Sequence, residues 1–329
     1  MRLRRSDPGQ PGYGRRRRGR GISFVDECGA ALADPDEVRR CRDLVIPPAW
    51  RDVWICPDPA GHLQATGTDA AGRRQYLYHA QWRASRERRK FAHVLLVAPH
   101  LPRLRRRVGT DLGGEALCRE RVLALAVRLI DLGLFRVGGD QYANDDDPTF
   151  GVATLQADHV TLAGQGAVRF CYRAKGGIER ELSIRDPRVV ATVRSLMRFR
   201  RGPQRLLAYQ DPEKGWREIH ANDINAYLRL VTGIDMTAKD LRTWHATVAA
   251  AVALAGAERP GSATAARRCV TQVMRQVADD LGNTPTVARV SYVDPRVVDL
   301  FLRGKTIQPP RGRRVDGPGA ERAVLELLA

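Results

Sequence analysis

The basic side chains of this protein are almost all arginine. Of 55 Lys+Arg residues, lysine supplies only Lys90, Lys175, Lys214, Lys239 and Lys305. A GC-rich coding sequence would produce that bias without selection. A lysine kept against it can still do what arginine cannot, because an ammonium of lowered pKa gives up a proton and a guanidinium does not. No Walker A loop is present, so nothing points to ATP use. No His/Asp/Glu set has metal-ligand spacing. The cysteines at 28, 41, 56, 118, 171 and 269 form neither a CxxC pair nor a Cys/His cluster, and read as reduced thiols. No cofactor and no metal are expected. Phosphoryl transfer without these aids needs a nucleophile, cations around the phosphorus and an acid for the departing oxygen. Tyrosine, arginine and lysine can supply all three.

Composition narrows the partner. The net charge of +18 and pI of about 10.5 call for a polyanion, most often nucleic acid, although ribosomal and membrane-surface proteins share the trait. No apolar run approaches the length of a membrane span. The first twenty residues are basic but lack the apolar core of a secretory signal, so the chain is expected to stay in the cytoplasm. With 43% hydrophobic residues, most of the chain should fold around real cores.

The elements that must hold these residues can be read along the chain. Residues 1–20 are Arg, Gly and Pro with little that is apolar, and read as a disordered basic arm. Residues 21–98 read as a small β-rich domain. DVWICPD, HLQAT and RRQYLYH are its strands, and a basic helix ending near Pro99 closes it. In RRQYLYH, Gln75 and Leu77 alternate with Tyr76 and Tyr78 on the other face. Residues 99–308 read as a larger, mainly helical domain. VATLQADHV, AVRFCYRA and IERELSI should form a three-stranded sheet, its last turn running Ala174-Lys175-Gly176-Gly177. EALCRERVLALAVRLIDLG is a periodic helix stopped at Gly133. Thr237 with Asp240 makes a capping box. Ser262 caps another helix that Gly282 ends. Thr284-Pro285 opens a short helix carrying Tyr292, which Pro295 should end. Residues 309–329 read as a C-terminal tail. The fold class is α+β.

Five segments, in order and spacing, resemble the poxvirus-like type IB topoisomerases of bacteria. They are RRQYLYH (73–79), FRVGGDQYA (135–143), YRAKGG (172–177), KDLRTWHAT (239–247) and LGNTPTVARVSYVDPRV (281–297), within a similarity covering about residues 24 to 308. The resemblance implies a C-shaped clamp of two domains around double-stranded DNA, acting as a monomer at the nucleoid. It implies supercoil relaxation through a 3′-phosphotyrosyl intermediate, without ATP or metal. Tyr292 would be the nucleophile. Arg136 and Arg242 would hold the non-bridging oxygens, since planar donors suit the extra charge of a pentacoordinate phosphorus. Lys175 would protonate the departing 5′-oxygen. Asn283 stands where the poxvirus relatives have histidine. Its amide can donate a hydrogen bond but carries no titrating proton, and its place after Gly282 also suits a helix cap. Lys239, three residues before Arg242, would touch a nearby phosphate. Gln75, Tyr76 and Tyr78 would read base edges in the major groove.

Two other classes fit part of the pattern. A tyrosine recombinase shares the chemistry, but LRTWHAT replaces its HxxR helix and the first domain is β-rich. A non-catalytic DNA-binding relative would not need chemically competent groups at all five catalytic positions.

Overall fold

The computed structural model describes residues 2–19, 21–164, 166–202, 204–258, 261–308 and 317–329. They fall into two compact units, Met1–Lys90 and Phe91–Ala329.

The first unit is an antiparallel sheet covered by one helix. Its strands are β1 (Tyr13–Arg18), β2 (Gly21–Val25), β3 (Arg51–Ile55), β4 (Leu63–Thr68) and β5 (Arg74–Tyr78), in the order β2-β1-β3-β4-β5. Helix α1 (Pro35–Asp43) starts at the Asp34 cap, with Pro35 at its first turn, a signal the sequence carries. Its Cys41 enters the core with Phe24, Ile46, Ile55 and Ala65. Helix α2 (Ala80–Val97) follows β5.

The disordered arm expected at residues 1–20 is not observed over residues 2–19, and residues 1 and 20 lie outside the described residues. Residues 13–18 are an inner strand, paired with both β2 and β3. Arg4 joins the same unit through its backbone, donating to the Ala60 carbonyl and accepting from His62 N–H. Composition misleads here because Arg15 is bonded to the fold rather than left to solvent alone. Its guanidinium donates to the carbonyls of Ile46, Pro47 and Trp50 at 3.0, 2.9 and 2.6 Å. That cage comes from a loop some thirty residues away, where no local pattern could reveal it.

In the second unit the helices are α3 (Leu101–Leu112), α4 (Arg119–Gly133), α5 (Asp140–Ala143), α6 (Pro187–Met197), α7 (Ala221–Thr232), α8 (Ala238–Ala255), α9 (Ala263–Leu281), α10 (Pro285–Ser291), α11 (Pro295–Leu302) and α12 (Pro318–Leu328). The three-stranded sheet is β6 (Val160–Ala163), β7 (Ala167–Ala174) and β8 (Ile178–Ile184). A hairpin, β9 (Ala208–Asp211) and β10 (Gly215–Glu218), stands apart from it. Helix α4 is buried over most of its length and runs through the core beside Trp244 and Phe135.

Several boundaries differ from expectation. VATLQADHV is two 3-10 turns, and the strand begins only at Val160. The Thr154 hydroxyl accepts from Gly151 N–H and closes the first turn before an extended run can start. Pro295 does not end the Tyr292 helix. Helix α10 stops at Ser291, and Pro295 opens α11 behind the Asp294 cap. Residues 309–316 of the expected tail lie outside the described residues, but residues 318–328 form α12, with Ala320, Val324 and Leu328 buried.

Candidate active site: a tyrosine facing buried arginines

Each residue is delivered by local structure that can be traced. Arg136 follows the end of α4, where Leu134 takes a left-handed conformation (φ 52°). Phe135 is then fully buried between Phe170 and Tyr172, with ring centroids 5.1 and 5.6 Å away. The next backbone stretch is held by the Arg136 and Val137 carbonyls, which accept from Val152 and Ala153 N–H at 2.8 Å. Gly138 and Gly151 press backbone to backbone here, so close that a Cβ on Gly151 would lie 2.5 Å from the Gly138 Cα.

Arg242 lies on α8, whose N-terminus is set by Asp240. That carboxylate accepts from both the N–H and the hydroxyl of Thr237. Arg242 is 2% exposed. Its Nη2 donates to the Leu281 carbonyl at the end of α9 at 3.0 Å, while Nε and Nη1 have no partner among the described residues.

Lys175 projects, exposed, from the β7–β8 turn, where Gly176 and Gly177 have φ of 86° and 73°. Its ammonium lies 5.4 Å from the centre of the Tyr142 ring.

Tyr292 caps the C-terminal end of α10, and its ring centre is 5.3 Å from the Arg242 guanidinium carbon. Thr247 of α8 holds the adjacent backbone. Its hydroxyl lies 3.2 Å from the Tyr292 carbonyl and accepts from Asp294 N–H at 3.1 Å.

Asn283 has the helix-capping role its position suggested: its backbone N–H closes the end of α9 on the Ala278 carbonyl. Its side-chain oxygen accepts from Arg136 Nη2. The amide nitrogen is buried and unpaired. Arg180, from β8, supports this corner. It is buried and donates to the Asp280 and Gly133 carbonyls, against Gly282, where a Cβ would lie 2.6 Å from the arginine.

Arg136, Lys175, Lys239, Arg242 and Tyr292 thus line one cleft of about 350 Å³, with Tyr142 and the Gly138-Gly139 backbone in its wall. Asn283 reaches the same group through Arg136. Electrostatics follow from the burial. Burial opposes ionisation of the Tyr292 phenol, but Arg242, Arg136 and Lys239 outweigh it and hold its pKa below the ordinary value. Burial pulls the Arg242 guanidinium down to about 10. Arg136 and Arg180 act in the same direction, and the Tyr292 oxygen opposes them. Two buried guanidinium nitrogens without acceptors, beside a tyrosine, describe a place for an anion. No three His, Cys, Asp or Glu side chains among the described residues converge as a metal would require.

Sequence reasoning passed over Tyr142, Arg180 and Thr247 as site residues. Tyr142 and Thr247 stand inside the quoted segments. Arg180 betrays itself only as a charged residue at an inward position of a strand. The other three expected DNA contacts lie in the first unit. Tyr76 and Tyr78 are exposed and stacked, centroids 6.3 Å apart. Gln75 lies on the opposite face with Leu77, and its amide donates to Asp69 at 2.8 Å.

Known proteins resemble the chain over most of its length. A family model described as the catalytic core of eukaryotic DNA topoisomerase I matches residues 79–298. One described as the N-terminal domain of bacterial DNA topoisomerase IB matches residues 21–69. DNA topoisomerase 1B of Acanthamoeba polyphaga mimivirus is 26% identical over 272 residues, which cover 80% of each chain. The chain belongs to the type IB DNA topoisomerase family. It is therefore an enzyme, and its substrate is double-stranded DNA. No helix among the described residues is long and apolar enough to cross a membrane.

Proposed function

We propose that the protein relaxes supercoiled DNA by cutting one strand through Tyr292 and resealing it, with no nucleotide or metal taking part. The observation that carries this reading is the cleft itself, where an acidified phenol faces a buried, half-unpaired guanidinium.

The phenol proton of Tyr292 passes to water, and the oxygen attacks a backbone phosphorus. The bond from phosphorus to the 5′-oxygen breaks, leaving a 3′-phosphotyrosyl bond. The Lys175 ammonium gives its proton to that departing oxygen. Its exposed place on a two-glycine turn lets it reach into the groove of a bound duplex. Nη1 and Nε of Arg242, with Arg136, take the non-bridging oxygens, whose charge grows in the transition state. The Asn283 amide adds a neutral donor, and Lys239 binds a neighbouring phosphate. The new ester keeps the energy of the old one, so religation runs the same steps backwards after the duplex has swivelled. One chain supplies a nucleophile, cations and an acid, so a monomer suffices for the chemistry, and the enzyme acts at the nucleoid. Tyr76 and Tyr78 supply the contacts to base edges. Gln75 joins them only if DNA displaces its bond to Asp69.

The test is incubation with supercoiled plasmid in EDTA without ATP, followed by detergent. Relaxation with a 3′-linked protein–DNA adduct is expected. In Tyr292→Phe both should vanish while duplex affinity persists, because the change removes one oxygen and no positive charge. A strict ATP or magnesium requirement, or adduct surviving in Tyr292→Phe, would overturn the reading.

A further inference from the structure

Helix α12 lies beyond the matched catalytic core, which ends at residue 298, yet it is firmly docked. Glu321 is buried with its apolar face. A buried carboxylate needs partners, and this one has two. It accepts from Nη1 and Nη2 of Arg105 on α3 at 2.8 Å each, and from the Trp244 indole N–H on α8 at 3.2 Å. The other edge of Arg105 donates to Asp131 on α4 at 3.0 Å. Asp131 in turn lies 2.8 Å from Nε2 of His245. One guanidinium thus joins a carboxylate from the end of the chain to one from α4, and the two carboxylates grip adjacent residues of α8.

The hold on Trp244 is behind the active site. An α-helix turns about 100° per residue, so Trp244 and Arg242 leave α8 on nearly opposite sides. Lys239 and Arg242 face the cleft, and Thr247 holds the Tyr292 backbone. Apolar packing alone tolerates small slides, whereas hydrogen bonds to a fixed carboxylate fix depth and rotation.

We propose that α12 is a positioning element. Through Glu321 and Trp244 it sets the advance of α8, and so places Arg242 against the reacting phosphate. This rests on the role given to Arg242 above.

The test uses full-length Glu321→Gln and Trp244→Phe, each alone and combined with Arg242→Ala. The first removes the charge opposite Arg105 and keeps an oxygen for the indole. The second keeps an aromatic ring and loses the N–H. Single-turnover cleavage and duplex affinity are measured well below the melting temperature of every variant. Each single variant should cleave about 10-fold or more slowly, since a small misplacement at a reacting centre is costly, with unchanged affinity. Neither should slow Arg242→Ala further. If one variant does not fold, the other carries the same comparison. Wild-type cleavage by both variants, or a full additional defect in the Arg242→Ala background, overturns the proposal and leaves the role of Arg242 standing. Wild-type cleavage by Arg242→Ala itself overturns both.

Discussion

Leaving a buried charged donor unpaired costs upward of roughly 1–3 kcal/mol, and Arg242 carries two such nitrogens. A fold tolerates that where a ligand will supply the acceptors, and this separates Arg242 from Lys175, which is exposed on its turn. The two should therefore fail differently. Lys175→Ala is expected to slow cleavage of ordinary DNA by about 10²–10⁴-fold, the usual range for a general acid. A substrate with sulfur at the bridging 5′ position has a leaving group that needs little proton donation, so Lys175→Ala should cleave it near the wild-type rate. Arg242→Ala should stay slow on both substrates. Equal defects of Lys175→Ala on both would assign that lysine to phosphate binding.

Tyr292 offers a test in pH. Its folded pKa lies below that of a free phenol, about 10. The ionised form is therefore favoured in the folded state. Its contribution to stability is full above the unfolded value and is lost as pH falls through the folded one. The difference in phenolate absorbance between wild type and Tyr292→Phe should titrate with a midpoint below that of free tyrosine. Lys239→Met should move this midpoint up, because it removes one of the attracting charges. A midpoint unmoved by that change would place Lys239 outside the field of the phenol.

At the scale of elements, Tyr292, the proposed nucleophile, caps a mostly exposed helix. Ala288 is the one buried residue of α10. The position of Tyr292 is set more by the chain on its C-terminal side, through Thr247 and the buried Asp294 cap. Thr247→Val keeps the shape but leaves the Asp294 N–H without its acceptor in a buried place. It should cost about 1–3 kcal/mol of stability and slow cleavage while sparing duplex affinity. Chemical denaturation and single-turnover cleavage would measure the two effects. A stability loss with wild-type cleavage would make Thr247 a core residue only.

For the whole molecule, the charge of +18 predicts steep salt dependence, with a log–log slope of about −0.9 for each phosphate neutralised. A basic arm could be deleted with a change in that slope alone. Residues 1–20 contain no such free arm over residues 13–18, since β1 pairs on both sides within the first unit. Their deletion should unfold that sheet, seen as lost β-signal in circular dichroism and lost cooperativity on melting. A truncated protein that keeps its sheet and changes only its salt slope would contradict the pairing.

Much of the site was legible in the sequence because its residues sit at local signals. Lys175 stands before two glycines that only a tight turn explains. Asn283 follows a glycine with φ of 60° at a helix end, and Arg242 lies five residues past the Thr237 cap of its helix. Turns, caps and periodicity depend on near neighbours, and near neighbours are what a sequence displays. The α+β class followed from them, whereas Arg136, Lys175, Lys239, Arg242 and Tyr292 were picked out by the resemblance of their segments to the type IB topoisomerases. Other features needed the tertiary structure. Arg15 is tied into the first unit only because the carbonyls of Ile46, Pro47 and Trp50 accept from it. The end of the chain is a helix rather than a tail because Arg105, more than two hundred residues earlier, receives Glu321. Arg180 and Thr247 acquire their roles from backbone groups on other elements. Burial and pairing over such distances are set by which surfaces meet, and a charged side chain carries no mark of whether it will face water or a distant carbonyl.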